Sequence, residues 1–167
     1  MSFEFAVLLW LHIVGAVGWL GAAMVFAMLI GPTLPSLSPA SRGDLVVKLF
    51  PKYIRWGTIF SLITPIFGLA LALDLSNGSF SIFRPNNPFG SYITAGALLS
   101  LVMWVLFFGL VAPTSRKIVS LTREMMSAQG ASPERLQKAS QRLRIFSTTG
   151  LLVLFVIVAC MVAAATS

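Results

Sequence analysis

One histidine, His12, stands in an apolar stretch covering residues 5–30 that holds no Asp, Glu, Lys or Arg. Neutral imidazole is a common ligand for copper and for haem iron. An ionisable group kept inside an apolar segment of this length usually faces a bundle interior and has a function. Trp10 and Trp19 flank it, and Gly15, Ala16, Trp19 and Ala23 follow at helical spacing on its face. Small residues there let a second helix, or a flat ligand, approach closely. A histidine that only ties two helices together is the structural alternative.

Cys160 and Met161 are the second candidate pair. A thiolate, a thioether and an imidazole suit Cu(I), and the topology below brings this pair to a depth comparable with His12. Neighbouring helical residues point about 100° apart, so Cys160 and Met161 cannot both face His12 squarely. Most of the seven methionines are packing residues in so apolar a chain. For haem, one histidine per chain leaves three arrangements: a five-coordinate iron, a histidine–methionine pair, or two His12 residues across a homodimer. Met24 and Met28 lie too far along the same helix to share an iron with His12, whereas Met103 and Met161 are compatible in depth. In a second apolar stretch Thr58, Ser61 and Thr64 recur every third residue, followed by Pro65. Such a stripe lines a polar path or bonds to its own backbone. No carboxylate pair, glycine-rich phosphate loop or nucleophile–base pattern is visible, so nothing in the chain argues for an enzyme.

The elements that must position these side chains follow from composition. The 167-residue chain is 57% hydrophobic and 10% charged, against about 25% charged in ordinary soluble domains. Lipid must therefore be the solvent for much of it. Four stretches, 5–30, 56–73, 92–112 and 145–165, lack ionisable side chains other than His12 and are long enough to span at about 20 residues each. Spanning backbone satisfies its own hydrogen bonds only as helix or closed barrel, and these runs do not alternate as barrel strands do. The expected fold is an all-α membrane protein, a single four-transmembrane-helix bundle over residues 1–167, with the lipid bilayer as its first partner.

The net charge of +7 does not point to nucleic acid, because the basic residues sit between apolar runs as juxtamembrane charge does. The connection 31–55 holds Arg42, Lys48, Lys52 and Arg55. The connection 113–144 holds Arg116, Lys117, Arg123, Arg135, Lys138, Arg142 and Arg144, whereas 74–91 holds only Arg84. The positive-inside rule then places both basic connections in the cytoplasm of a multi-pass plasma-membrane protein, with both termini outside. No Lys or Arg precedes the first run, so it reads as a retained helix rather than a cleaved signal. The single Cys160 excludes an intrachain disulfide.

Gly31-Pro32-Thr33 reads as the end of the first helix and Ala112-Pro113-Thr114 as a break or kink. Ser38-Pro39 starts a short helix towards Phe50 that Pro51 interrupts; residues 115–128 have helical composition, Gln129-Gly130 is a stop, and Ser132-Pro133-Glu134 is a new start. Short cytoplasmic interfacial helices are therefore expected. Each half has a span ending in Pro-Thr, then a Ser-Pro start, then an arginine (Arg55, Arg144) before the next span. That plan suggests two parallel helical-hairpin repeats, 1–75 and 85–167, related by an axis along the membrane normal; His12 has no counterpart in the second. The outer connection is rich in Asn, Gly, Pro and Ser, carries Phe80, Phe83 and Phe89, and reads as an ordered loop with aromatics at the interface. It includes the sequon Asn77-Gly78-Ser79.

Leu9-Trp10-Leu11-His12-Ile13-Val14-Gly15-Ala16-Val17-Gly18-Trp19-Leu20-Gly21 resembles the first helix of CopD-type (copper resistance protein D) membrane proteins, in which a histidine near the outer end precedes a Trp-x-Gly step. Leu49-Phe50-Pro51-Lys52-Tyr53-Ile54-Arg55-Trp56-Gly57, continuing to Ile66-Phe67-Gly68-Leu69, is similar to their next helix, with Pro65 and Phe67 replacing part of its Thr-Gly-like step. The resemblance covers about half the chain. It implies a metal role for His12, since CopD-type proteins and the related HemJ-like proteins are helix bundles tied to copper uptake or to haem. A second intramembrane histidine and the intramembrane lysine of HemJ-like enzymes are missing here, which argues against haem-pathway catalysis. Three readings stand at this level. In the first the protein handles or transports copper, with His12, Cys160 and Met161 as ligands. In the second it binds haem b at His12 and passes electrons. In the third it is a non-catalytic accessory subunit of a larger membrane complex.

Overall fold

The computed structural model describes residues 2–127 and 132–167. Four long helical rods make up nearly all of it: α1 Phe3–Ser36, α2 Pro39–Leu75, α3 Pro88–Met126 and α4 Pro133–Ala165. Each is long and apolar enough to cross a bilayer, and there is no strand among the described residues. The protein is an integral, multi-pass, all-α membrane protein built as a four-helix bundle. Large apolar side chains such as Val17, Leu98, Val105, Leu152 and Val162 stay exposed on its outside. Among four helices this is the face that meets lipid.

Three of the four rods start at a side-chain cap, and Ser132 before α4 makes none. Ser2 Oγ accepts the Phe5 amide at 3.2 Å, Ser38 Oγ the Ser41 amide at 3.2 Å, and Asn87 Oδ1 the Gly90 amide at 2.7 Å. Pro39, Pro88 and Pro133 occupy first-turn positions, where a missing N–H costs nothing. The loop between α2 and α3 is ordered. Asn77 and Gly78 take positive φ to reverse the chain (51° and 78°), and Thr94 Oγ1 donates to the Phe83 carbonyl at 2.8 Å.

The prolines behave differently from expectation. Pro51 does not end a separate short helix: α2 runs unbroken from Pro39 to Leu75 through both Pro51 and Pro65. Pro32 and Pro113 do not end α1 or α3 either. Each is preceded by a π-helical turn, Val25–Ile30 and Phe107–Val111, after which the rod continues. At each, a ladder widened to i→i−5 carries the helix up to the proline. The Gly31 N–H reaches the Phe26 carbonyl, and the Ala112 N–H reaches the Phe107 carbonyl. The basic connections are helical, but as extensions of the spans and not as the separate short helices expected. The stop expected at Gln129-Gly130, and the end of the 115–128 helix at Ala128, lie outside the described residues.

α1 packs along α2, α3 along α4, and the basic arm of α3 (Ala112–Met126) packs on α2 and α4. The two hairpins share their main core at the basic end. Phe26, Phe50, Ile54, Phe107, Val111, Ile118, Val119 and Leu143 are all buried there. Phe26 meets Phe50 edge-on at 5.2 Å and stacks on Tyr53 at 4.3 Å. Phe107 lies over Gly57, where a Cβ would fall 2.9 Å from its ring. Both π-turns therefore present a phenylalanine, six residues before a proline, to the same core. A smaller cluster of Trp19, Met103 and Leu154 sits above it, beside a cavity of about 30 Å³. That space suits a single water, and Ser147 Oγ, which lines it, has no other partner.

The registers of the two hairpins differ. Gly15 of α1 faces Ile63 and Thr64, eight and nine residues beyond Arg55, whereas Gly96 of α3 faces Cys160 and Met161, sixteen and seventeen beyond Arg144.

Candidate functional site

His12 is three turns into α1 and half-buried against α2. Its Nδ1 lies 2.8 Å from the Thr64 carbonyl oxygen. A carbonyl only accepts, so Nδ1 carries the proton and donates. That fixes the tautomer and leaves Nε2 with a free lone pair. The approach depends on two glycines. A Cβ on Gly68, one turn beyond Thr64, would lie 2.8 Å from both Nδ1 and Cε1 of His12. A Cβ on Gly15 would lie 2.8 Å from Thr64 Oγ1 and Ile63 Cγ2. Gly15 brings the two backbones together, and Gly68 leaves room for the ring over the carbonyl.

The small-residue face after His12 is therefore taken by a helix. Gly15 meets Ile63 and Thr64, Gly18 meets the ring of Phe60, and Trp19 enters the buried cluster with Met103 and Leu154. No slot for a flat ligand opens on that face.

Cys160 and Met161 are half-buried near the end of α4. The Met161 methyl fills the notch over Gly96 of α3, with the Cys160 Cβ beside it. His12 thus packs in the α1–α2 hairpin, and the Cys160–Met161 pair packs in the α3–α4 hairpin. These contacts do not bring the three together. Among the described residues no group of three or more His, Cys, Asp or Glu side chains is gathered as a metal site. Met103 is buried in the cluster with Trp19, its methyl near Gly150. Glu4 and Asp74 are exposed.

The polar stripe of α2 bonds to its own backbone. Ser61 Oγ donates to the Thr58 carbonyl at 3.0 Å, and Thr64 Oγ1 to the Phe60 carbonyl at 2.8 Å. Ser61 is wholly buried, whereas Thr58 stands on the wall of a groove between α2 and α3. The residue that sequence reasoning missed is Trp104. Pro65 has no N–H to give the Ser61 carbonyl four residues back, and the Trp104 indole N–H from α3 fills the gap at 2.6 Å. The signal was present, since a mid-span proline always strands one carbonyl, but which side chain answers it depends on how α3 packs. His12 and Trp104 thus hold α2 from two sides of Pro65. Trp104→Phe is expected to destabilise the bundle by about 1–2 kcal/mol, because a buried carbonyl is left unpaired. Adding Pro65→Ala, which returns the intrahelical donor, is expected to recover most of that loss. A double-mutant cycle by denaturation in detergent reads the coupling; strict additivity would sink the pairing.

No protein-family model, curated protein or solved structure matches the chain.

Proposed function

We propose that this membrane protein handles copper ions at the plasma membrane in the CopD-like manner, with His12 Nε2 as the donor atom. The observation that carries the reading is the Nδ1–H bond to the Thr64 carbonyl. Metal-binding histidines as a rule donate their second nitrogen in this way, which orients the ring and raises the basicity of the first. An imidazole held so, inside an apolar helix pair, is oriented to offer Nε2 to a soft cation. Copper here is cargo. Cys160 and Met161 complete its coordination only across a second copy, or in an arrangement in which the hairpins approach at the terminal end. The basic extensions of α1–α4 lie in the cytoplasm in this reading, and His12 is reached from the outer side.

The same bond favours a second reading, in which His12 is a tie between α1 and α2 in an accessory subunit. A haem b protein would have to carry its porphyrin on the outer face of the bundle or between two copies, since α2 covers the small-residue face of α1. Metal analysis and an absorption spectrum of the detergent-purified protein separate the three. Stoichiometric copper without a Soret band supports the proposal. A Soret band replaces it with the haem reading. Neither metal nor pigment after loading with Cu(I) leaves the accessory subunit.

A further inference from the structure

We infer that the basic end of the bundle holds a binding site for the phosphate headgroup of an anionic membrane lipid, in the groove between α2 and the basic arm of α3. The groove has a volume of about 660 Å³. One wall is a single face of α2, Pro51, Ile54, Arg55, Thr58 and Ile59; the other is a single face of α3, Arg116, Val119, Ser120 and Arg123. These spacings of three and four residues put each set on one side of its helix. Three arginines therefore line one space, and no carboxylate lines it.

Among the described residues no ion pair neutralises them. Both salt bridges among the described residues, Lys48–Asp44 and Lys138–Glu134, lie within other turns. Arg55, Arg116 and Arg123 have no carboxylate within ion-pair distance among the described residues. Like charges of this kind repel unless an anion sits between them. Planar guanidinium groups bind phosphate oxygens in pairs; the hydroxyl of Thr58 stands at the same wall, while that of Ser120 is already donated to the Lys117 carbonyl.

The groove is not purely polar. Ile54 and Val119 form its floor and Ile59 leads into the apolar part of α2. Trp56, next to Arg55, is exposed, as tryptophans are where headgroups meet hydrocarbon. A soluble phosphate would use the arginines and leave the apolar wall wet. A lipid uses both, its headgroup on the arginines and the start of its chains along Ile59. Basic pockets between helices at this depth take such headgroups. The site is far from His12 in sequence and stands independently of the copper reading.

The full-length protein in an uncharged detergent, titrated with phosphatidylglycerol or phosphatidylcholine and followed by native mass spectrometry, tests it. Wild type is expected to prefer phosphatidylglycerol, and the triple variant R55Q/R116Q/R123Q to lose that preference by about tenfold or more. The control triple R135Q/R142Q/R144Q, which removes the same charge from exposed positions on α4, is expected to change it by no more than about twofold. Equal losses in both triples, or no loss in either, would overturn the site. Displacement of the lipid by inorganic phosphate at matched concentration would overturn the lipid as the occupant. Should the triple variant not fold, the single variants R55Q, R116Q and R123Q, all at exposed positions, carry the same comparison, each lowering affinity several-fold.

Discussion

His12→Ala is expected to leave a folded protein that no longer holds copper. The fold survives because only one polar tie between α1 and α2 is lost. Such interhelical bonds are worth about 0.6 kcal/mol on average in membrane proteins. The contacts of Gly15 and Gly18 with α2, and Trp19 in its cluster, remain. Copper is lost because no other imidazole exists in the chain. His12→Gln sharpens the comparison. Its amide can still donate to the Thr64 carbonyl, so it preserves the tie while removing the imidazole. The measurement is copper per protein after Cu(I) loading and desalting, with thermal denaturation in parallel. Equal copper in wild type and both variants would sink the metal role of His12. Instability of His12→Ala that His12→Gln relieves, with wild-type copper in both, would make His12 a strut.

Gly68→Ala is expected to weaken copper binding by about 10–100-fold while every candidate ligand stays in place. That is the usual cost of removing the hydrogen-bond partner that orients a metal-binding histidine. The added methyl would sit 2.8 Å from Nδ1 and Cε1 of His12, closer than such atoms can stand, so the ring must swing off the Thr64 carbonyl. Nδ1 is then no longer held as the protonated nitrogen. Thr64→Ala is the matched control, because the bond uses the backbone oxygen of Thr64 and not its hydroxyl. It is expected to keep nearly full affinity. Titration against a Cu(I) chelator reads both. Wild-type affinity in Gly68→Ala would mean that the Thr64 bond does not prepare the ligand.

The spans, their number and the basic connections were readable from residues alone. Helix starts at Ser38-Pro39 and Ser132-Pro133 followed from local residue types, proline at a first-turn position above all, whereas the start at Asn87-Pro88 lay inside what read as a loop. The prolines were misjudged for an equally physical reason. In water Pro32, Pro51 and Pro113 would each stop a helix. Here π-turns precede Pro32 and Pro113 and the rods continue through them, and the core around Phe26, Phe50 and Phe107 holds the rods together. The two π-turns each offer a phenylalanine, six residues before a proline, to one core. The shifted pairing of Gly15 and Gly96 shows that the second helices do not align by their arginines.

His12 could be chosen from the sequence, because a lone imidazole in an apolar span is conspicuous by composition. Its tautomer could not, since that depends on a carbonyl 52 residues away in the chain. The same holds for Cys160 and Met161. Their depth follows from counting along α4, but the hairpin they belong to follows from packing against Gly96. Trp104 was invisible for the same reason, being defined by the carbonyl that Pro65 strands. Composition and hydropathy by themselves determined a four-helix membrane bundle with one basic end, because lipid leaves an apolar chain no alternative to satisfied helices. Only the tertiary structure decided which helix covers the histidine and which nitrogen is left free. It also decided where three arginines line one groove, because these are contacts between faces of different helices, set by side-chain packing rather than by any local pattern.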